Sequence, residues 1–102
     1  MSDKYILAGH TPVPCDDLHE WAKAYEANDR RVAWTALEKF DVSTVFLGID
    51  HNFGGDGPPI LFETMVFRAG ESSDIDMDRY STWEEAEAGH AKMVEKVLNL
   101  TA

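Results

Sequence analysis

The chain has 102 residues, with 9 lysines and arginines against 19 aspartates and glutamates, and a formal net charge of −10. This length fits a single domain, 1–102, and a hydrophobic content of 44% argues against a disordered chain. The acidity argues against nucleic-acid binding, because a phosphate backbone attracts lysine and arginine and repels carboxylates.

No apolar run approaches the length of a membrane span, and the N-terminal residues lack the apolar segment of a signal peptide. The only cysteine, Cys15, cannot form an internal disulfide, which favours a reducing compartment. We therefore expect a cytoplasmic protein without membrane contact. The acids are spread over both predicted helices and residues 71–78, which favours a solubilising surface over mimicry of a nucleic acid.

The first half of the chain predicts a strand, a break, a helix and a second strand. Lys4–Ala8 is the first strand, and the two prolines of Gly9–Pro14 predict its end. Asp16–Ala27 is predicted to be helical, because its apolar residues recur at helical spacing. Val32–Leu37 is rich in β-branched and aromatic residues and predicts a strand, with a helix over Val32–Lys39 as the competing interpretation.

The second half contains the strongest strand and helix patterns. Val42–Ile49 and Ile60–Arg68 predict strands on either side of the loop Asp50–Pro59, whose glycines and prolines exclude regular structure. The acidic segment Ala69–Asp78 is predicted to be an exposed loop. The last helix should begin with a capping box, either Thr82 with Glu85 or Ser81 with Glu84.

The predicted order β-α-β-β-β-α indicates an α+β fold, an antiparallel sheet of 3–4 strands with two helices packed on one face. The two strongest strands are apolar on both faces. In Val42–Ile49, for example, Val45, Leu47 and Ile49 lie on one side, and Val42 and Phe46 lie on the other. Helices on one face cannot bury both sides. The uncovered side is expected to be a binding surface or a homodimer interface.

Several segments of this sequence resemble a family of small proteins encoded by bacteriophages and prophages. The matching segments are VSTVFLGIDH at 42–51, Gly54-Gly55, Gly57-Pro58-Pro59, FETMVF at 62–67, YSTWEEA at 80–86, Gly89-His90 and Pro14-Cys15-Asp16-Asp17. The resemblance covers most of the chain. It implies a phage or prophage setting and a bacterial cytoplasm, and it transfers no catalytic role to any residue.

The loop after the strongest strand is the principal candidate binding site. The sheet would position its side chains, and glycine would let a ligand approach the backbone. The candidate binding residues share this loop: Asp50, His51, Asn52, Phe53, Gly54, Gly55, Gly57 and Pro58. Asp50 has a structural alternative, in which its carboxylate accepts loop amides and holds the loop closed. The loop lacks the Lys-Ser/Thr and the following helix of a phosphate-binding loop.

Four residues are the candidates for catalysis: Asp50, His51, Glu63 and Cys15. Glu63 interrupts an apolar strand, so burial would require a partner such as Thr44 or Arg31, and a general acid or base is the alternative. Cys15 precedes a helix start, where a thiolate could be stabilised, but neighbouring aspartates oppose that. A capping role is the competing interpretation.

The sequence predicts no metal site and no cofactor, because its histidines and cysteine are dispersed without a ligand spacing. His90 falls in the apolar stripe of the last helix and is predicted to be a hydrogen-bonded core residue. The function predicted is therefore a non-enzymatic protein-binding or host-interaction module, with a protein partner or a second copy. A small enzyme or ligand-binding domain that uses Asp50, His51 and Glu63 is the alternative.

Overall fold

The computed structural model describes residues 3–27, 30–53, 55–71 and 74–100. The fold is α+β, with an antiparallel sheet of four strands, a two-stranded hairpin and two helices. In chain order the elements are β1 (Tyr5–Ala8), β2 (Thr11–Pro14), α1 (Leu18–Ala27), β3 (Arg31–Ala36), β4 (Phe40–Phe46), β5 (Phe62–Arg68), β6 (Asp74–Tyr80) and α2 (Trp83–Leu100). The strand interpretation of Val32–Leu37 is confirmed by β3, which forms a hairpin with β4.

The four-stranded sheet is a meander in the order β3-β4-β5-β6, and α2 packs on one of its faces. We call this the covered face. Its central side chains are fully buried because they alternate along β4 and β5 and all point toward α2. They are Val42, Thr44, Phe62, Thr64 and Val66, with Phe46 4% exposed. Met93 and Val97 of α2 complete the core above Val42 and Val66.

The opposite face of the sheet, which we call the open face, carries the alternate residues of the same strands. The register aligns its side chains in two rows, Arg31–Val45–Glu63–Arg79 and Trp34–Ser43–Met65–Met77. Neither apolar core cluster of the described residues contains any of them. The expectation that one apolar face lies outside the helix packing therefore agrees with the structure.

The predicted end of the first strand at Ala8 is confirmed, but the strand that follows within Gly9–Pro14 was not predicted. The chain turns at Gly9 and His10, and Thr11–Pro14 returns as β2 against β1. The prolines fit this strand because only every second backbone nitrogen points toward β1. The amide of Cys15 donates to the Lys4 carbonyl on β1, so the nitrogens of Pro12 and Pro14 point away from β1, where no hydrogen bond is lost. The hairpin turn contacts α2, since the His10 ring stacks on Trp83 with centroids 3.9 Å apart.

The prediction that Ala69–Asp78 is an exposed loop holds for Ala69–Glu71 but is wrong from Asp74 onward, because β6 occupies Asp74–Tyr80; residues 72–73 lie outside the described residues. Its acidic residues hide a strand pattern, in which Asp76 and Asp78 alternate with Met77 and Arg79. Met77 and Arg79 are the two that lie on the open face. A bulge opposite Val66 and Phe67 inserts one residue into this edge strand. Charged side chains and a bulge are typical of an exposed sheet edge, where they hinder pairing with other strands.

The capping box of α2 is confirmed with Thr82 as the N-cap. The Glu85 amide donates to Thr82 Oγ1, and the Thr82 amide donates to Glu85 Oε1, each at 3.1 Å. These bonds satisfy two donors that the first turn leaves without helical partners. They fix where α2 starts and therefore which of its residues meet the sheet.

Two helices were predicted on one sheet face, but α1 packs against β1, and α2 is the helix on the four-stranded sheet. Gly48 joins α1 to the sheet: its carbonyl accepts from Trp21 Nε1 at 3.0 Å. Its φ is +77°, and a Cβ built there would lie 3.1 Å from the Tyr25 ring. This position therefore requires glycine for both its backbone conformation and its close packing.

Replacing Gly48 with alanine should lower the free energy of unfolding by about 1 to 2 kcal/mol for the left-handed backbone. The contact with Tyr25 should add about 1 to 3 kcal/mol of overpacking. Gly70→Ala is the matched control, because Gly70 also has a positive φ of 83° but open space around its Cβ position. Urea unfolding measures both variants, and equal losses would contradict the packing role of Tyr25.

Candidate functional site

The loop after β4 is closed by its own side chains. Asp50 Oδ1 accepts the amides of Asn52 at 2.7 Å and Ile60 at 2.9 Å, which ties the two ends of the loop together. Asn52 Nδ2 donates to the carbonyls of Asp56 at 3.0 Å and Pro58 at 3.1 Å. These contacts agree with the structural interpretation of Asp50, since its carboxylate already serves two backbone donors.

The other candidate residues of this loop lie on its outer side. His51 Nδ1 donates to the Ile49 carbonyl at 2.8 Å, and its ring lies 5.3 Å from that of Phe53. Phe53 is 77% exposed and adopts a positive φ of 50°, which is unusual for an aromatic residue. Gly55, Gly57 and Pro58 are exposed, and Gly54 lies outside the described residues.

Glu63 lies on the open face and is paired with an arginine that the sequence did not suggest. Its side chain is 8% exposed, and Oε2 accepts from Arg79 Nε at 2.9 Å. Of the two partners expected, Thr44 lies on the covered face and Arg31 lies in the same row as Glu63. Arg79 was missed because it belongs to β6, the strand predicted as a loop. The pairing supplies the partner that a buried carboxylate requires.

Cys15 is buried between the hairpin and α1. Its amide donates to the Lys4 carbonyl at 2.9 Å, and its Sγ donates to the Asp17 carbonyl at 3.5 Å. Asp17 caps α1, accepting the amides of His19 and Glu20. Asp50, Glu63 and Cys15 thus each have separate partners, and none of these contacts joins them in one cleft.

A buried polar network lies between α2 and the covered face. The two ring nitrogens of His90 bond to Thr44 at 2.7 Å and Thr35 at 2.8 Å, and Thr44 bonds to Thr64 at 2.5 Å. The prediction that His90 is a hydrogen-bonded core residue is confirmed. Burial lowers the pKa of His90, so the neutral ring donates through one nitrogen and accepts through the other.

An open groove of about 390 Å³ lies between β6 and α2. Charged side chains border it, and Lys96 Nζ contacts Asp76 Oδ2 at 2.6 Å. The hydrogen bond from Lys96 lowers the pKa of Asp76; the Lys96 side chain is exposed and Asp76 is half-buried. Its floor includes Gly89, where a Cβ would overlap the Tyr80 ring. The groove is therefore wet and charged at its rim, unlike a typical ligand pocket.

The open face combines exposed apolar side chains with ordered charges. Trp34 is 45% exposed and Met77 is 42% exposed, with Ser43 and the half-buried Met65 between them in the same row. The Arg31 guanidinium lies over the Trp34 ring, 4.7 Å from its centroid. Trp, Met and Arg are the residue types enriched in protein–protein interfaces.

Comparison of the chain with models of known protein families, with curated proteins and with solved structures finds no match. In the described part of the chain, no helix is long and apolar enough to cross a membrane. The same residues contain no group of three or more His, Cys, Asp or Glu side chains that could hold a metal ion.

Asp50→Ala should lower the free energy of unfolding by about 1 to 3 kcal/mol, because two amides lose a charged acceptor. Asp56→Ala is the matched control in the same loop, since the Asp56 contact to Asn52 is made by its backbone carbonyl. Thermal and urea unfolding measure both. A silent Asp50→Ala would contradict the loop-closing role and return this carboxylate to the candidates for function.

Because of His90, the free energy of unfolding should decrease as the pH is lowered. Its pKa is lowered in the folded state, so the unfolded chain binds the proton first as pH falls through about 6.5. The stabilisation from the neutral buried ring is complete above that pH. It is lost as the pH falls toward the pKa of the folded state, and the free energy of unfolding then changes by at most about 1.4 kcal/mol per pH unit. His90→Gln should reduce the slope between pH 7 and 5, and the control His19→Gln should retain it. An unchanged slope in His90→Gln would contradict the assignment.

Proposed function

We propose that the protein is a non-enzymatic protein-binding module whose contact surface is the open face of the sheet. The observation that carries the proposal is the row of Trp34, Ser43, Met65 and Met77, which crosses all four strands without a helix packed on it. Contiguous exposed apolar surface on a folded domain is typical of a macromolecular interface.

The charges of this face support the same proposal. The Glu63–Arg79 pair is formed within the chain, so covering the face leaves Glu63 with its partner. The Arg31 guanidinium lies over the Trp34 ring, and a side chain held by such a contact has less rotamer freedom to lose on binding. Such rigid aromatic and arginine anchors contribute most of the binding energy at many interfaces.

The enzyme alternative has less support from the contacts of its residues. Asp50 accepts two loop amides, His51 Nδ1 bonds to Ile49, and Glu63 pairs with Arg79. Each of these contacts has a structural purpose, and a general acid or base would need a substrate proton within reach of the same atoms. The protein-binding role is therefore the better supported of the two.

The proposed setting is a bacterial cytoplasm, with the gene carried by a phage or prophage. This part of the proposal rests on the resemblance of residues 42–51 and 62–67 to small phage-encoded proteins. It determines the choice of a bacterial lysate as the source of partners.

The test compares four tagged forms of the protein: wild type, Trp34→Lys, Met77→Lys and the control Leu18→Lys. Leu18 is 62% exposed on α1, so the control adds the same charge to an apolar site away from the open face. We expect wild type and control to retain the same bacterial proteins, or a second, differently tagged copy. Both open-face variants should lose them while keeping the wild-type melting temperature within a few degrees.

Retention of the same proteins by all four forms would contradict the proposal. Equal loss in Leu18→Lys would also contradict it, because the effect would then follow added charge and not the open face.

A further inference from the structure

We infer that the open face binds a second copy of the same chain, face to face, about a two-fold axis that runs along the row from Trp34 to Met77. The inference rests on the proposed function and adds both the partner and its orientation. It is carried by two features of the open face, the distribution of its charges and its area.

The charges lie at opposite ends of the open face. Arg31 and Arg79 stand at one end, with Glu63 between them, and Asp41 stands at the other end beside Ala36. Asp41 and Val45, the neighbour of Arg31, are four residues apart on β4, which corresponds to about 13 Å along the strand. The row of Trp34 and Met77 lies midway between these ends.

This arrangement is complementary to itself in one orientation. A two-fold axis along the middle row places the arginine end of each copy over the aspartate end of the other. By the register, the partner's Asp41 then lies over Val45, between Arg31 and Glu63; because Glu63 is already paired with Arg79, this end keeps one net positive charge opposite Asp41, at two symmetric places. A two-fold axis along the strands would place Arg31 over the partner's Arg79 and bury like charges together. Like charges facing each other across an interface are strongly unfavourable, which selects the first orientation.

The area of the open face fits a weak, reversible dimer. Three of the four strands have seven residues and the fourth has six. With strands about 4.8 Å apart and about 3.3 Å per residue, the face measures roughly 19 by 23 Å. Two such faces would bury roughly 900 Å², which is below the size of stable specific interfaces and in the range of weak, transient ones.

Little of the overall charge of −10 lies at the contact. By register, Arg31 and Arg79 stand against Glu63, Asp41 and Asp74, a net charge of −1. Most of the acidic excess therefore lies elsewhere and acts as a longer-range repulsion, which salt screens.

Charge reversal separates specific pairing from this general repulsion. Asp41→Arg changes the net charge from −10 to −8, which by itself would favour association. We expect it to weaken dimerisation roughly tenfold, because two like-charged pairs then face each other across the axis. Arg31→Glu should weaken it similarly, and the double variant should recover to within roughly threefold of wild type. Glu26→Arg, on the exposed side of α1, makes the same charge change as Asp41→Arg and should not weaken the dimer.

Sedimentation equilibrium measures these five proteins and Trp34→Lys, over a concentration series reaching about 1 mM, a range that includes weak transient interfaces. A wild-type protein that stays monomeric would overturn the second-copy inference, while the proposed function would still be decided by the retention experiment. A dimer that Asp41→Arg leaves unchanged or strengthens would overturn the two-fold orientation. A dimer that survives Trp34→Lys would exclude the open face as the interface between copies.

Discussion

A single long helix determines what this fold can bury. The sheet carries apolar side chains on both faces, and α2 covers one of these faces with a stripe that includes Ala86, Met93 and Val97. The remaining helix and the hairpin are held at the end of the sheet, where Gly48 accepts from Trp21. The core is therefore one-sided, and Trp34 and Met77 are left outside it as a consequence of the topology.

The elements that sequence patterns predicted correctly are those whose signals are local. The alternation of Val42, Thr44 and Phe46 marks β4, and the reciprocal bonds of Thr82 and Glu85 begin α2 within four residues. Two strands were missed because their sequences resemble loops: β2 carries prolines at outward-facing positions, and β6 carries aspartates beside the helix groove. In both cases pairing with a neighbouring strand overrides a weak local preference.

The candidate site divides in the same way, into features that local sequence predicts and features that depend on strand pairing. Both interpretations of Asp50 were available from the sequence, because an aspartate before a glycine-rich loop commonly accepts its amides. Its two bonds to Asn52 and Ile60 favour the structural one. The partner of Glu63 could not be predicted, since Arg79 comes within reach only when β6 pairs with β5. The open face, in contrast, was predictable in outline from strands that are apolar on both sides.

The polar network of the covered face also determines which face stays open. His90 bonds to Thr44, which bonds to Thr64, so both threonines must point toward α2. A one-residue slip of either strand would turn its threonine away and bring Ser43 or Glu63 beneath the helix. A slip of β4 would take Thr44 away from the imidazole, and a slip of β5 would take Thr64 away from Thr44, at a cost of about 1 to 3 kcal/mol for each buried group left unsatisfied. The buried network thus specifies the register, and through the register it keeps Trp34, Met65 and Met77 together on the side available to a partner.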